Sequence, residues 1–184
     1  MPSNVSGILN PTNSIVDDID LDTILAEYVK IASGLPDGMV RPTYQPVTPK
    51  MPEFGVDWAA VGVKSEVNDA DPAITHYPDG DGYSELMRTE LIEVSASFYG
   101  TNAKQLCSKL RDSFHIGQNH WWFNQYSMTL RDCGNIVPSH DFHNNQWHKR
   151  YDLTFRLNRC IIRRYEILNL LSATVDFNGE EINA

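Results

Sequence analysis

No stretch of the 184-residue sequence strings together enough apolar residues for a membrane-spanning helix, which needs roughly 18 or more. The opening MPSNVSGILNPTNSIVDDID lacks a basic start and an apolar stretch, so export by a signal peptide is not expected. Cysteine is scarce. Cys107, Cys133 and Cys160 are odd in number and widely spaced, which fits neither a disulfide framework nor a zinc pattern. They read as small apolar residues in a reducing compartment. The dinucleotide-binding, P-loop, nucleophile-elbow, zinc-protease and CxxC motifs are all missing, and no Ser–His–Asp combination is placed by a recognisable turn or helix terminus. Nothing points to an enzyme, a metal or a cofactor.

Basic residues are also few, and they are unevenly placed. Residues 1–100 hold 16 acids and 5 bases, residues 101–184 hold 8 acids and 10 bases, and the net charge is −9. Tight phosphate binding needs clustered Lys and Arg, so specific nucleic-acid binding is not expected; mild repulsion of DNA is.

What is present reads as alternating helices and strands. Residues 1–19, rich in Ser, Asn, Pro and Asp, read as an arm that orders only on a partner. Asp20 is the expected cap of a helix with Leu21, Ile24, Leu25, Tyr28, Val29 and Ala32 on one stripe and Gly34 as its stop. Five prolines make residues 34–55 an extended connector, with room for a short edge strand at 39–44. Asp57–Glu66 reads as a strand and 67–82 as a polar loop. In Tyr83–Tyr99, Ile92, Val94, Ala96 and Phe98 alternate with Glu93, Ser95 and Ser97, the pattern of a half-buried strand. Thr101 or Asn102 then opens a helix with Ala103, Leu106, Cys107, Leu110 and Phe114 on one face. Gln125–Cys133 alternates again, 134–146 is a second loop, and Trp147–Arg164 is a long strand with Tyr151, Leu153, Phe155 and Leu157 inward. The apolar stretch from Tyr165 to Phe177 has room for one more short strand. The expected fold is α+β: one largely antiparallel sheet of four to five strands with two helices on one face, the other face polar and free for water or another subunit.

Several clusters invite chemistry. His140, Asp141, His143 and His148 are of metal-ligand type, but in a Gly/Asn/Pro loop nothing in the sequence fixes their geometry, and solvated histidines are expected. Asp18, Asp20 and Asp22 have calcium-loop spacing, yet Thr23 and Val29 stand where that loop needs Gly and Glu. Six bases crowd residues 149–164, but along a strand Arg150, Arg156 and Arg164 project opposite to Arg159 and Arg163. Pairing with acids, within or between subunits, is the expectation for them. Of the adjacent Trp121 and Trp122, one is expected to be buried and the other to face a neighbour.

Five segments, in order, resemble the neck- or tail-terminator-like proteins of contractile-tailed phages: GLPDGMVRPTYQP (34–46), DWAAVGV (57–63), EVSASFYG (93–100), LRDSFHIGQN (110–119) and RYDLTFRLNRCIIRRYEILNLLSA (150–173). The resemblance covers about residues 20–175; the arm and the loops 67–82 and 134–146 lie outside its pattern. It implies a subunit of a ring, commonly of six, at the head-proximal end of the tail in the virion, assembled in the host cytoplasm. Such a ring ends the tail tube and sheath and joins them to the neck, with DNA passing through its bore. On that reading residues 1–19 are an arm, 20–178 the ring-forming domain and 179–184 a tail, with Trp121, Trp122, Arg156, Asn158, Arg163 and Arg164 as candidate interface residues. The alternatives are a head-completion or adaptor protein on the portal side of the neck, and a small metal-dependent hydrolase built on the 140–148 histidines.

Overall fold

Period-two alternation marks Ile92–Phe98 and Tyr151–Leu157, the central parts of the two longest strands of the protein. The computed structural model describes residues 8–45, 47, 50–68, 71–78, 82–143 and 145–167. In chain order its elements are α1 (Asp18–Ser33), β1 (Val40–Pro42), β2 (Trp58–Asn68), β3 (Ala73–Tyr77), β4 (Tyr83–Tyr99), α2 (Ala103–Ser113), α3 (Gly117–Asn124), β5 (Met128–Pro138), β6 (Asp141–His143), β7 (Gln146–His148) and β8 (Arg150–Glu166). β4 and β8 pair antiparallel over their full length, from Tyr83 opposite Glu166 to Tyr99 opposite Arg150. β5 lines the other edge of β8, β2 and β3 share the other edge of β4, and β1 adds a short parallel strand outside β2. The α+β, mostly antiparallel architecture is therefore as the sequence pattern implies, with six strands in the main sheet.

The core lies between the helices and one half of this sheet. α1 contributes Leu21, Leu25, Tyr28 and Val29, and α2 contributes Ala103, Leu106, Cys107 and Leu110. They meet Ile92, Val94, Ala96 and Phe98 of β4 and Leu153, Phe155 and Leu157 of β8, all fully buried. Phe155 packs on Phe114 with ring centroids 4.8 Å apart, and Tyr28 stacks on Phe114 and lies tilted against Phe123. Two glycines fix the chain's corners. Gly34, at φ +78°, ends α1 and donates its N–H to the Lys30 carbonyl. Gly100, at φ +105°, ends β4 where a Cβ would lie 2.5 Å from the Val56 carbonyl oxygen and from Asp57 Oδ1. The close approach lets Asp57 accept hydrogen bonds from the backbone and side-chain amides of Asn102, at the head of α2.

Four expectations need correction. α1 starts at Asp18, so the residue at its cap position is Asp17 and not Asp20; its carboxylate makes no cap hydrogen bond because it is engaged by Arg159. There are three helices among the described residues, not two. α3 has no apolar stripe of its own and is held by buried Phe123 and by Asn119 and His120 side chains bonded to the Ser113 and Phe114 carbonyls. The loop 67–82 contains β3, and the loop 134–146 contains the end of β5 and most of the β6–β7 hairpin. The second half of β5 escapes a period-two search because the register shifts between Leu130 and Asp132 and again between Cys133 and Ile136. Residues 12–17, expected to order only on a partner, lie on β8: Thr12 and Asn13 bond the backbone of Ile162 and Arg164, and Val16 accepts a bond from Arg159. The strand expected within 165–177 falls, beyond Ile167, outside the described residues. No helix among the described residues is long and apolar enough to cross a membrane.

Truncating Phe155 to Ala would leave a void facing Phe114, and should lower the unfolding free energy by about 3–5 kcal/mol in chemical denaturation. A loss below about 1 kcal/mol would show that this side of β8 does not face the core.

Candidate functional site

The helices cover one face of the sheet, so function has to be sought first on the other. Strand parity puts Trp58 of β2, Ser95, Ser97 and Tyr99 of β4, and Arg150, Asp152, Thr154, Arg156 and Asn158 of β8 on that open face. Its polar groups largely satisfy one another. Arg150 Nε donates to Asp152 (2.8 Å), its Nη1 to Asp141 (3.2 Å) and its Nη2 to Ser97 (3.3 Å), with the guanidinium over the Tyr99 ring. Tyr99 in turn stacks on Trp58, centroids 4.2 Å apart. Further along, Arg156 binds Asp132 (2.8 Å) and Lys64 binds Glu93 (2.8 Å). Burial works against the Asp152 carboxylate, but hydrogen bonds from Arg150, Ser97 and Ser139 more than offset it and hold its pKa below the ordinary value.

Beyond this polar field the same face turns apolar. Val67 stands opposite Leu91, and Met87 is flanked by Ala73 and Ile162. Val67, Met87 and Ile162 are substantially exposed. At the far end the guanidinium of Arg164 lies 3.6 Å from the centre of the Tyr83 ring, itself stacked on Tyr77. Exposed aliphatic side chains gathered on one face are a feature of contact surfaces.

Most of the described histidines and cysteines are engaged in structural contacts. His140 accepts the Arg150 backbone N–H at Nδ1 (3.2 Å), and His148 lies edge-on to Phe54; the side chain of His143 is outside the described set. Among the described residues no group of three His, Cys, Asp or Glu is placed to hold a metal ion. Burial pushes the Cys107 thiol up to about 12 and the Cys133 thiol up to about 11, so neither supplies a thiolate near neutral pH.

The six candidate interface residues divide between the two faces. Arg156, Asn158 and Arg164 share the open face, whereas Arg163, on the helix side, stands 3.8 Å from Asp17. Trp121 is exposed on α3, and Trp122 is half-buried against the core near Tyr126. Three of the six thus share one face of β8, with Arg164 eight positions along the strand from Arg156, and the Trp pair lies on α3.

With an uncovered sheet face in view, the family comparison is decisive: the model of the phage neck terminator proteins matches residues 20–181. The chain belongs to that family. The match begins in α1 and runs through every strand, so it covers the whole sheet and helix layer. No curated protein matches the chain. Membership in this family of neck proteins gives the chain a structural role in the phage neck and tail, in contact with other components there.

Arg159, expected to project opposite to Arg156 and to pair with an acid but not counted among the interface candidates, is 4% exposed and donates to Asp17 at 2.8 Å from the core face. Its signal was parity: it continues the inward series of Leu153, Phe155 and Leu157, a position where an unpaired cation is not tolerated.

A pH dependence follows from Asp152. Because its folded pKa is depressed, its contribution is present above the unfolded value of about 3.9 and is lost as pH falls through the lower folded value. The stability gap between the native chain and Asp152→Asn should therefore narrow as denaturation is repeated from pH 6 down towards about pH 2. A gap constant across that range would mean that the carboxylate is not held by Arg150.

Proposed function

We propose that copies of this chain close into a ring, six-membered as the resembling proteins imply, at the head-proximal end of the phage tail. There the ring ends growth of the tube and sheath, joins them to the neck, and lets DNA pass through its bore. The observation that carries the reading is the uncovered sheet face: a long surface with a polar field at one end and exposed Val67, Met87 and Ile162 at the other, in a chain of the neck terminator family. A surface of this kind is suited to burial against other subunits. The net charge of −9 suits a bore that must not hold DNA, although the repulsion decays within about 8 Å at physiological salt. In this role the protein acts by shape and contact, without turnover, metal or cofactor.

Light scattering and negative-stain imaging at micromolar concentration should show rings, either alone or after addition of purified tail tubes. Monomers that stay monomeric with tubes present would refute the proposal, and capping of isolated heads instead of tails would move the protein to the portal side. Asn158→Ala, on the open face, should leave thermal unfolding unchanged while weakening ring assembly. Unchanged assembly would remove Asn158 from the interface.

A further inference from the structure

At the end of the sheet where β4 stops and β8 starts, the segment 51–56 and the β6–β7 hairpin enclose a groove of about 900 Å³. Six aromatic side chains line it, Phe54, Trp58, Tyr99, Phe142, Trp147 and His148, with Glu53, Thr101, Gln146 and Lys149 among the polar residues between them. Phe54 is 61% exposed, Phe142 58% and Trp147 67%. Single exposed aromatics are ordinary, but three converging on one concavity mark a docking surface. Arg150, Asp141 and Asp152 beside the groove are committed to each other, and no buried polar atom without a partner belongs to a lining residue. The chemistry fits an extended apolar peptide.

We propose that this groove receives residues 168–177 of a second copy of the chain. In that segment Leu171, Ala173, Val175 and Phe177 alternate with Ser172, Thr174 and Asp176, so an extended conformation presents one apolar side. The segment follows directly on Ile167, just past the end of β8, whereas the groove, lined by Lys149, sits at the beginning of β8. The intervening 17-residue strand spans roughly 50–55 Å. Ten residues reach at most about 36 Å, so a chain's own segment falls short of its own groove. Nor does β8 offer it an edge near its end, because β4 lines one side and β5, then Thr12 and Asn13, the other. A neighbour's groove meets both conditions. With the donor at one pole and the acceptor at the opposite pole, the contact is heterologous, the type that propagates head to tail and closes into a ring. This proposal rests on the ring reading and gives it a specific joint.

The test uses full-length chains. A donor-defective variant, Leu171→Asp with Phe177→Asp, and two groove variants, Trp147→Ala and Phe142→Ala, change residues outside the described core; thermal unfolding serves as the folding control. Each variant alone should fail to form the native assembly in light scattering. Mixing the donor-defective chain with Trp147→Ala should give heterodimers that grow no further, because one partner keeps only a groove and the other only a segment. A fluorescent peptide of residues 168–184 should bind the donor-defective chain and bind its Trp147→Ala derivative roughly tenfold more weakly, as for an aromatic hot spot. Rings unaffected by either class of variant, or no peptide binding, would overturn the docking while leaving the ring reading intact. Open chains or dimers that Trp147→Ala dissolves would keep the docking and overturn the ring.

Discussion

The pairing of β4 with β8 is the constraint on which the rest of the molecule depends. Two 17-residue strands in unbroken register make a ladder about three times the usual strand length, roughly 55 Å from end to end. The longest helix, α1, has 16 residues and spans only about 24 Å. A helix layer of that size covers less than half of the ladder. Accordingly the fully buried residues of the two strands gather at Ile92–Phe98 and Leu153–Leu157, and the remainder, with β3 alongside, continues as a ribbon of mostly half-buried and exposed residues. The exposed aliphatic side chains of that ribbon, and the separation of the two poles, are consequences of one mismatch in length.

The border between core and ribbon is marked by charge. Arg159 of β8 and Glu90 of β4 stand opposite each other on the helix side, both nearly buried, with Nη1 and Oε2 4.0 Å apart and neither atom hydrogen bonded. Leaving such atoms unsatisfied costs on the order of 1–3 kcal/mol each. Burial, and then the nearby Glu66, raise the Glu90 pKa, and Arg159 opposes them. The return on this arrangement is positional. Arg159 also holds Val16 and Asp17, so the segment leading into α1 is fixed against β8. An apolar residue at 159 would fill the same space without anchoring that segment.

How much of this was legible in the sequence depends on period and on context. Ile92–Phe98 and Tyr151–Leu157 revealed the two main strands because each has one buried and one open face, so alternation survives in the residues. β5 was read only in its first half, since the register shifts after Leu130 and Cys133 move side chains out of phase. α3 and the β6–β7 hairpin were missed because tertiary contacts, and not propensity, define them: the buried Phe123 in one case, the Phe142–Trp147 cross-strand pair in the other. The candidate site was less legible still. Arg156, Asn158 and Arg164 were assigned to the open face by parity alone, whereas the aromatic groove draws on Phe54, Trp58, Tyr99, Phe142 and Trp147, residues up to 93 positions apart that only the sheet's topology brings together.

The same topology resolves an apparent contradiction in the charge pattern. The second half of the chain is mildly basic and places six Lys and Arg within residues 149–164, which in isolation reads as a stripe for nucleic acid. Folding disperses it. Arg150 is bound to Asp141 and Asp152, Arg156 to Asp132, and Arg159 to Asp17, and Arg163 stands within 4 Å of Asp17, while Arg164 covers Tyr83. Parity sends Arg159 and Arg163 to the opposite face from the other three. Phosphate binding in proportion to the local Lys and Arg count requires side chains free to displace counterions, and these arginines are engaged within their own subunit. In the ring proposed above, a duplex in the bore would meet arginines already paired within a chain of net charge −9, so the basic run in the sequence does not argue against that proposal.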